Sequence, residues 1–336
     1  MLSPKQNYLE TIKRGGKPDR IVKQFEGTVL LPGDPVSFYV RGERFAGMPP
    51  TKDLWGTEII WPADVPAAMP HVTEANKVIK DITSWRDFTK APDLIANCSH
   101  GALWEPYLKL IGEVDRDNHL VMALLPTGLF ERLHFLMGFE DMFINFMTEP
   151  EAMEDLCEAI GEYRLNGIKL IVDHANPDVV LSHDDWGSKD NLFIQPTLWR
   201  KFIKPQYAKA YGYAHEHGVI IEHHADSFCE QIVEDMIELH IDVWQGVIPQ
   251  NDIPKIQKAL DGRMALKGGI DAAIVDRPDS SEDEIRAETR RALEAYCPAG
   301  NFIPCITYGA PGTIFPKGDI YIDDEIARYN NEVYGL

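Results

Sequence analysis

Apolar positions along this chain fall into short β-rich runs separated by longer amphipathic stretches. The runs Ile21–Phe25, His119–Pro126, Val179–His183, Val219–His224, Ile241–Gly246, Met264–Gly268 and Phe302–Tyr308 read as strands. Helical periodicity fills the gaps, over 130–147, 149–173, 196–216, 228–239, 253–260 and 281–296. Repeated alternation of strand and helix predicts an α/β fold with a parallel sheet. At 336 residues its natural closed form is a (β/α)8 TIM barrel with one strand less visible than the others. An open doubly wound sheet is the competing architecture, although no G-x-G-x-x-G or Walker sequence follows any of these strands.

Residues 27–75 break the alternation. They are rich in Pro and Gly, contain DLWGTEIIWP, and read as a loop and hairpin insert after the first strand. Together with the polar, helix-like start they give one expected domain, 1–336, with an N-terminal helical and hairpin extension. Trp55 and Trp61 in the insert either flank a pocket or pack the insert down.

Composition narrows the function classes. The chain is 44% hydrophobic, enough for a large core, and carries a net charge of −20. Such an acidic balance argues against nucleic acid and anionic membranes as partners, and against a polyanionic substrate unless the pocket is locally basic. No apolar stretch is long enough to cross a bilayer, and the N-terminus lacks the apolar core of a secretory signal. Five scattered cysteines without a C-x-x-C pair fit a reducing cytoplasm.

The chemistry concentrates where strands end. In GVIIEHHAD, Glu222, His224 and Asp226 leave the strand on one face and His223 on the other. Imidazole and carboxylates, with Cys305 at the end of the last strand as a candidate thiolate, suit Zn²⁺. The second cluster, His183-Asp184-Asp185-Trp186, offers acid–base groups, and one of the two aspartates faces the pocket while the other anchors the loop. Gln245 stands at another strand end. Loop polarity alone accounts poorly for carboxylates and imidazoles abutting apolar strands, because they carry a desolvation cost unless paired or liganded.

Several segments then resemble the uroporphyrinogen decarboxylase superfamily: KQNYLETIKRGGKPDRIV, HDDWGSKDNLFIQPTLWRKFIKPQY, HEHGVIIEHHADSFCEQIVEDMIELHIDVWQGVIPQNDIPKI and MALKGGIDAAIV. The resemblance covers most of the chain and implies a single (β/α)8 barrel with an N-terminal extension. Members either decarboxylate uroporphyrinogen without a metal or move methyl groups to or from a corrinoid protein with zinc. Decarboxylases carry an early F-M-R-Q-A-G-R segment, whereas here Val22-Lys23-Gln24-Phe25-Glu26-Gly27 lacks the arginine and brings an acid. Methyltransferases serving coenzyme M carry H-x-C and a late Cys as zinc ligands. Here the resemblance places His224 and Asp226 on H-x-C, giving H-x-D, and the late Cys near Cys305. A harder, oxygen-rich site suits an oxygen substrate, as in the methyltransferase component of anaerobic O-demethylases.

The resulting expectation is methyl transfer from an aryl methyl ether to the Co(I) of a separate corrinoid protein. Zinc is held by His224 and Asp226 with Glu222 or Cys305, and an acid comes from His183, Asp184, Asp185 or, without metal, Glu26. Trp186, Tyr308, Trp55 and Gln245 contact the substrate. The partners are a corrinoid protein and the small aromatic ether, with a homodimer left open. The alternatives are a metal-free lyase of a carboxylated small molecule and a non-catalytic binding barrel.

Overall fold

The computed structural model describes residues 1–65, 67–306 and 318–336. Seven parallel strands form the central sheet: β1 (Thr28–Leu31), β2 (Leu120–Leu125), β3 (Val179–His183), β4 (Ile220–His224), β5 (Val243–Val247), β6 (Ala265–Gly269) and β7 (Phe302–Cys305). Their spatial order is their chain order, as expected when each strand returns beside its predecessor through a helix packed on one face of the sheet. The helices lie close to the predicted spans, for example Pro150–Ala175, Ile253–Leu260 and Glu282–Tyr296. Gly138, at φ 80°, divides the predicted 130–147 helix into Leu129–Met137 and Phe139–Thr148. The 228–239 prediction resolves into a 3₁₀ turn, Glu230–Ile232, and the short helix Val233–Glu238.

Strand alternation sorts the core into two layers. Val121, Ala123, Val180, Ile221, Trp244 and Leu266 point outward into the large cluster shared with the helices. Leu120, Met122, Val179, Leu181 and Ile303 point inward and meet Tyr8 and Val22 of the N-terminal segment. Ile303 of β7 thus shares a cluster with Leu120 of β2, which requires a strongly curled sheet. Helix Pro4–Ile12, started by a Ser3–Gln6 capping box, brings Tyr8 into that inner layer.

Two expectations are corrected. The closed eight-stranded barrel is not formed by the described residues: the sheet has seven strands, and no pairing joins β1 to β7. The first strand is not Ile21–Phe25 but Thr28–Leu31, which pairs in register with Leu120–Ala123. Ile21 instead exchanges its backbone hydrogen bonds with the Asn330 side chain, at 2.9 and 3.0 Å. The 27–75 segment therefore contains a strand of the main sheet as well as the expected excursion. The excursion holds helix Pro35–Arg41 and a three-stranded antiparallel sheet, Thr51–Lys52, Glu58–Ile60 and Met69–Pro70. No helix among the described residues is long and apolar enough to cross a membrane.

Candidate active site

The register of the parallel strands places His183 beside His224, His224 beside Gln245, and Gln245 beside Lys267. His183 and His224 end β3 and β4, where α/β barrels carry their chemistry, and Gln245 and Lys267, in the middle of β5 and β6, continue a polar row across the concave face. The imidazoles of His183 and His224 stack at 4.5 Å between centroids. His183 Nδ1 lies 2.9 Å from Glu131 Oε2, and His224 Nδ1 lies 2.9 Å from Gln245 Oε1. Each ring therefore has its Nδ1 occupied and its Nε2 left for another partner, the arrangement that orients metal-binding histidines.

Potential ligand atoms of His183, Asp185 and His224 all lie within 4.8 Å of one another. Asp185 also accepts a hydrogen bond from the Asp226 backbone at 3.0 Å. Burial, and for Asp226 the neighbouring Asp185, push both carboxyls up to about 6. Burial opposes charge on His183, but Glu131 and the two aspartates outweigh it and lift the imidazole to about 10. Burial and the His183 charge hold His224 down at about 4. Zinc would displace the proton that His183 otherwise holds, and the Asp185 carboxylate with two imidazoles oriented through Nδ1 then makes a donor set that fits zinc by its chemistry.

His183, His224 and Gln245 of this row line a cavity of about 550 Å³. Leu30, Leu124, Leu181 and Phe135 form its apolar walls, and Ile59, Met69 and Pro70 of the antiparallel excursion also line it. Its polar groups include Arg41, Arg44, Asp53, Thr127, Glu131 and Arg132. Thr127 adopts φ 57°, an uncommon conformation for a branched residue, at the turn from β2 into helix Leu129–Met137.

The other sequence-derived candidates are dispersed. Glu222 lies on the same face as His224 but deeper, where Tyr8 and Lys267 each donate to it at 2.8 Å. Cys305 is buried, its thiol pushed up to about 12 mainly by burial, and lines a separate cavity of about 320 Å³ with Asp226. Asp184 accepts from the Phe130 and Glu131 backbones, Trp186 Nε1 and the Tyr207 hydroxyl, at 2.6 to 3.0 Å. It is the loop anchor of the aspartate pair. Trp186 is buried and stacks on His223 at 3.9 Å. Trp55 is buried edge-on against Tyr163, and Glu26 accepts from Arg20 at 3.0 Å, outside this cavity. Gln245 does line the cavity, and Tyr308 lies outside the described residues.

Sequence reading missed Glu131, Arg132, Arg41 and Arg44. Only Glu131 carried a local signal, as the third residue of a helix whose Gly128 N–H it accepts at 2.9 Å.

The fold and site together define an α/β protein whose polar row closes the floor of a largely apolar cavity. Its fold is similar to that of a solved methyltransferase from Methanosarcina mazei, with a TM-score of 0.70 and 16% sequence identity. That likeness spans 99% of this chain and 100% of the other. No family model matches the chain, and no curated protein does.

Proposed function

We propose that this chain is a methyltransferase of the uroporphyrinogen decarboxylase superfamily, a single cytoplasmic α/β domain over 1–336 built on the curled parallel sheet. In this reading it moves a methyl group from an aryl methyl ether to the Co(I) of a separate corrinoid protein. The observation that carries the reading is the His183–Asp185–His224 group beneath an apolar cavity. The methyltransferase fold of the Methanosarcina protein supports it.

His183, Asp185 and His224 would hold zinc, which supplies a Lewis acid for the ether oxygen when bound. Gln245 and Glu131 each hold one ring through its Nδ1, leaving the Nε2 of each for a ligand. Asp226, whose N–H donates to Asp185 at 3.0 Å and whose carboxyl burial and Asp185 raise to about 6, is the acid that would hold a proton beside this group. Leu124, Leu181 and Phe135 exclude water and pack against the ring.

The test combines metal analysis of the purified protein with single-turnover methylation of a reduced corrinoid protein, followed by its absorbance. A panel of methoxylated aromatics serves as donors. Zinc at one equivalent, and loss of both zinc and methyl transfer in His224→Ala, are expected. A fully active, metal-free protein would overturn the zinc assignment. The hydrogen-bonded His183–Glu131 pair favours one second reading, a metal-free lyase in which His183 is the acid. Activity that withstands a chelator and needs no corrinoid would select it.

A further inference from the structure

The cavity is cationic in a chain that is otherwise strongly acidic. Its charged lining consists of Arg41, Arg44, Arg132, Asp53, Glu131 and the imidazole of His183. Arg132 is committed to Asp53 in a buried ion pair at 2.6 Å, and His183 to Glu131 at 2.9 Å. Two guanidiniums are left over. Arg41 has no hydrogen-bond or ion-pair partner for its guanidinium among the described residues. Among the described residues Arg44 donates only Nε, to the Arg41 carbonyl at 3.0 Å. Both are half-buried.

Local structure brings them together. Arg41 ends helix Pro35–Arg41, Gly42 reverses the chain at φ 64°, and Arg44 turns back onto the Arg41 carbonyl. Burial lowers both guanidiniums, and Arg41 adds to the lowering of Arg44, which falls to about 10. Glu131, Asp34 and Asp53 offset part of this for Arg41, and Asp53 for Arg44, but none of them hydrogen-bonds either guanidinium. Two adjacent, partly desolvated cations without a hydrogen-bonded acid are costly unless an anion occupies the space beside them. A guanidinium fork matches the two oxygens of a carboxylate or the face of a phosphate.

We infer that Arg41 and Arg44 form an anion-recognition subsite, so that the substrate is an aromatic or apolar molecule bearing a carboxylate or phosphate. The methyl-transfer reading supplies only the further expectation that the same molecule carries a methoxy group.

Equilibrium binding to the full chain tests this by calorimetry at low ionic strength. The probes are 4-methoxybenzoate, its neutral counterpart 4-methoxybenzamide, benzoate and phenyl phosphate. The acid should bind at least about tenfold tighter than the amide, as expected when even one charge-assisted hydrogen bond distinguishes them. That preference should shrink with added salt and disappear in Arg41→Gln/Arg44→Gln. Comparison of benzoate with phenyl phosphate decides which headgroup the site takes. If the glutamine variants fail to fold, the acid-to-amide ratio and its salt dependence in the unaltered protein decide the matter. Equal binding of acid and amide, or binding of neither, overturns the inference. Arginine-dependent benzoate binding without any methyl transfer upholds the subsite and instead removes the methyltransferase reading.

Discussion

His183 and His224 stack with ring planes 13° apart, and each commits its Nδ1 to a different partner, Glu131 for one and Gln245 for the other. The partners sit on different elements, helix Leu129–Met137 and β5, so three strands and a helix must be in place before both rings are aimed. Glu131→Gln and Gln245→Leu should each weaken zinc binding about tenfold to a hundredfold, the usual cost of losing a partner behind a ligand. Competition against a chromophoric chelator measures this. His183→Ala and His224→Ala should abolish binding, and unchanged affinity in those variants would place any metal elsewhere.

Glu222 separates a structural from a functional carboxylate. Its oxygens are taken by Lys267 and Tyr8, with both members of the ion pair almost fully buried. Glu222→Gln should destabilise the fold by about 3–5 kcal/mol, because it leaves the Lys267 charge buried alone. The double change Glu222→Leu/Lys267→Met should recover much of that loss. Denaturant unfolding gives the stabilities, and the zinc content of folded Glu222→Gln should match that of the unaltered protein.

The loop anchor makes a sharper steric expectation. A Cβ on Gly128 would fall about 2 Å from the Asp184 side chain, which accepts the first N–H groups of the following helix. Gly128→Ala and Asp184→Ala should therefore both destabilise, each by about 2–4 kcal/mol. Their effects should be strongly non-additive in a double-mutant cycle, because the methyl intrudes only where the carboxylate stands. Additive losses would contradict the contact.

Acid sensitivity should come partly from His134. Its ring stacks on Phe139 at 4.0 Å, and burial lowers it from 6.5 to about 4. Between those values the unfolded chain binds the proton more readily than the folded one, so stability falls as pH drops from about 6.5 to 4. His134→Phe should remove this contribution, worth on the order of 1–2 kcal/mol after allowance for partial solvent access. Unfolding midpoints of the two proteins should diverge on acidification in favour of the variant, and parallel curves would refute the assignment.

Much of the fold was legible because a parallel sheet buried on both faces demands continuous apolar runs, and helices of this length display their periodicity locally. Val179–His183 and Ile253–Leu260 are found where the pattern puts them. Ile21–Phe25 and Thr28–Leu31 are a different case. Both can be extended, and only Thr28–Leu31 finds a partner strand in β2, whereas Ile21 satisfies its backbone on Asn330, 309 residues away. Local pattern carries no information about which edge is vacant.

The site divides the same way. Alternation along GVIIEHHAD by itself puts Glu222 and His224 on one face and His223 on the other, since side chains in a strand reverse direction at each residue. The sequence also shows that imidazoles and carboxylates collect at strand ends. Only the tertiary structure decided that Glu222 is taken by Lys267 and Tyr8, that His183 joins His224 across neighbouring strands, and that Asp184 anchors a loop while Asp185 reaches the histidines. It alone gathered Arg41, Arg44 and Arg132 around the cavity, from segments with no pattern in common. Side-chain direction is a property of the local backbone, whereas the partner that satisfies a buried charge is a property of strand register and chain return.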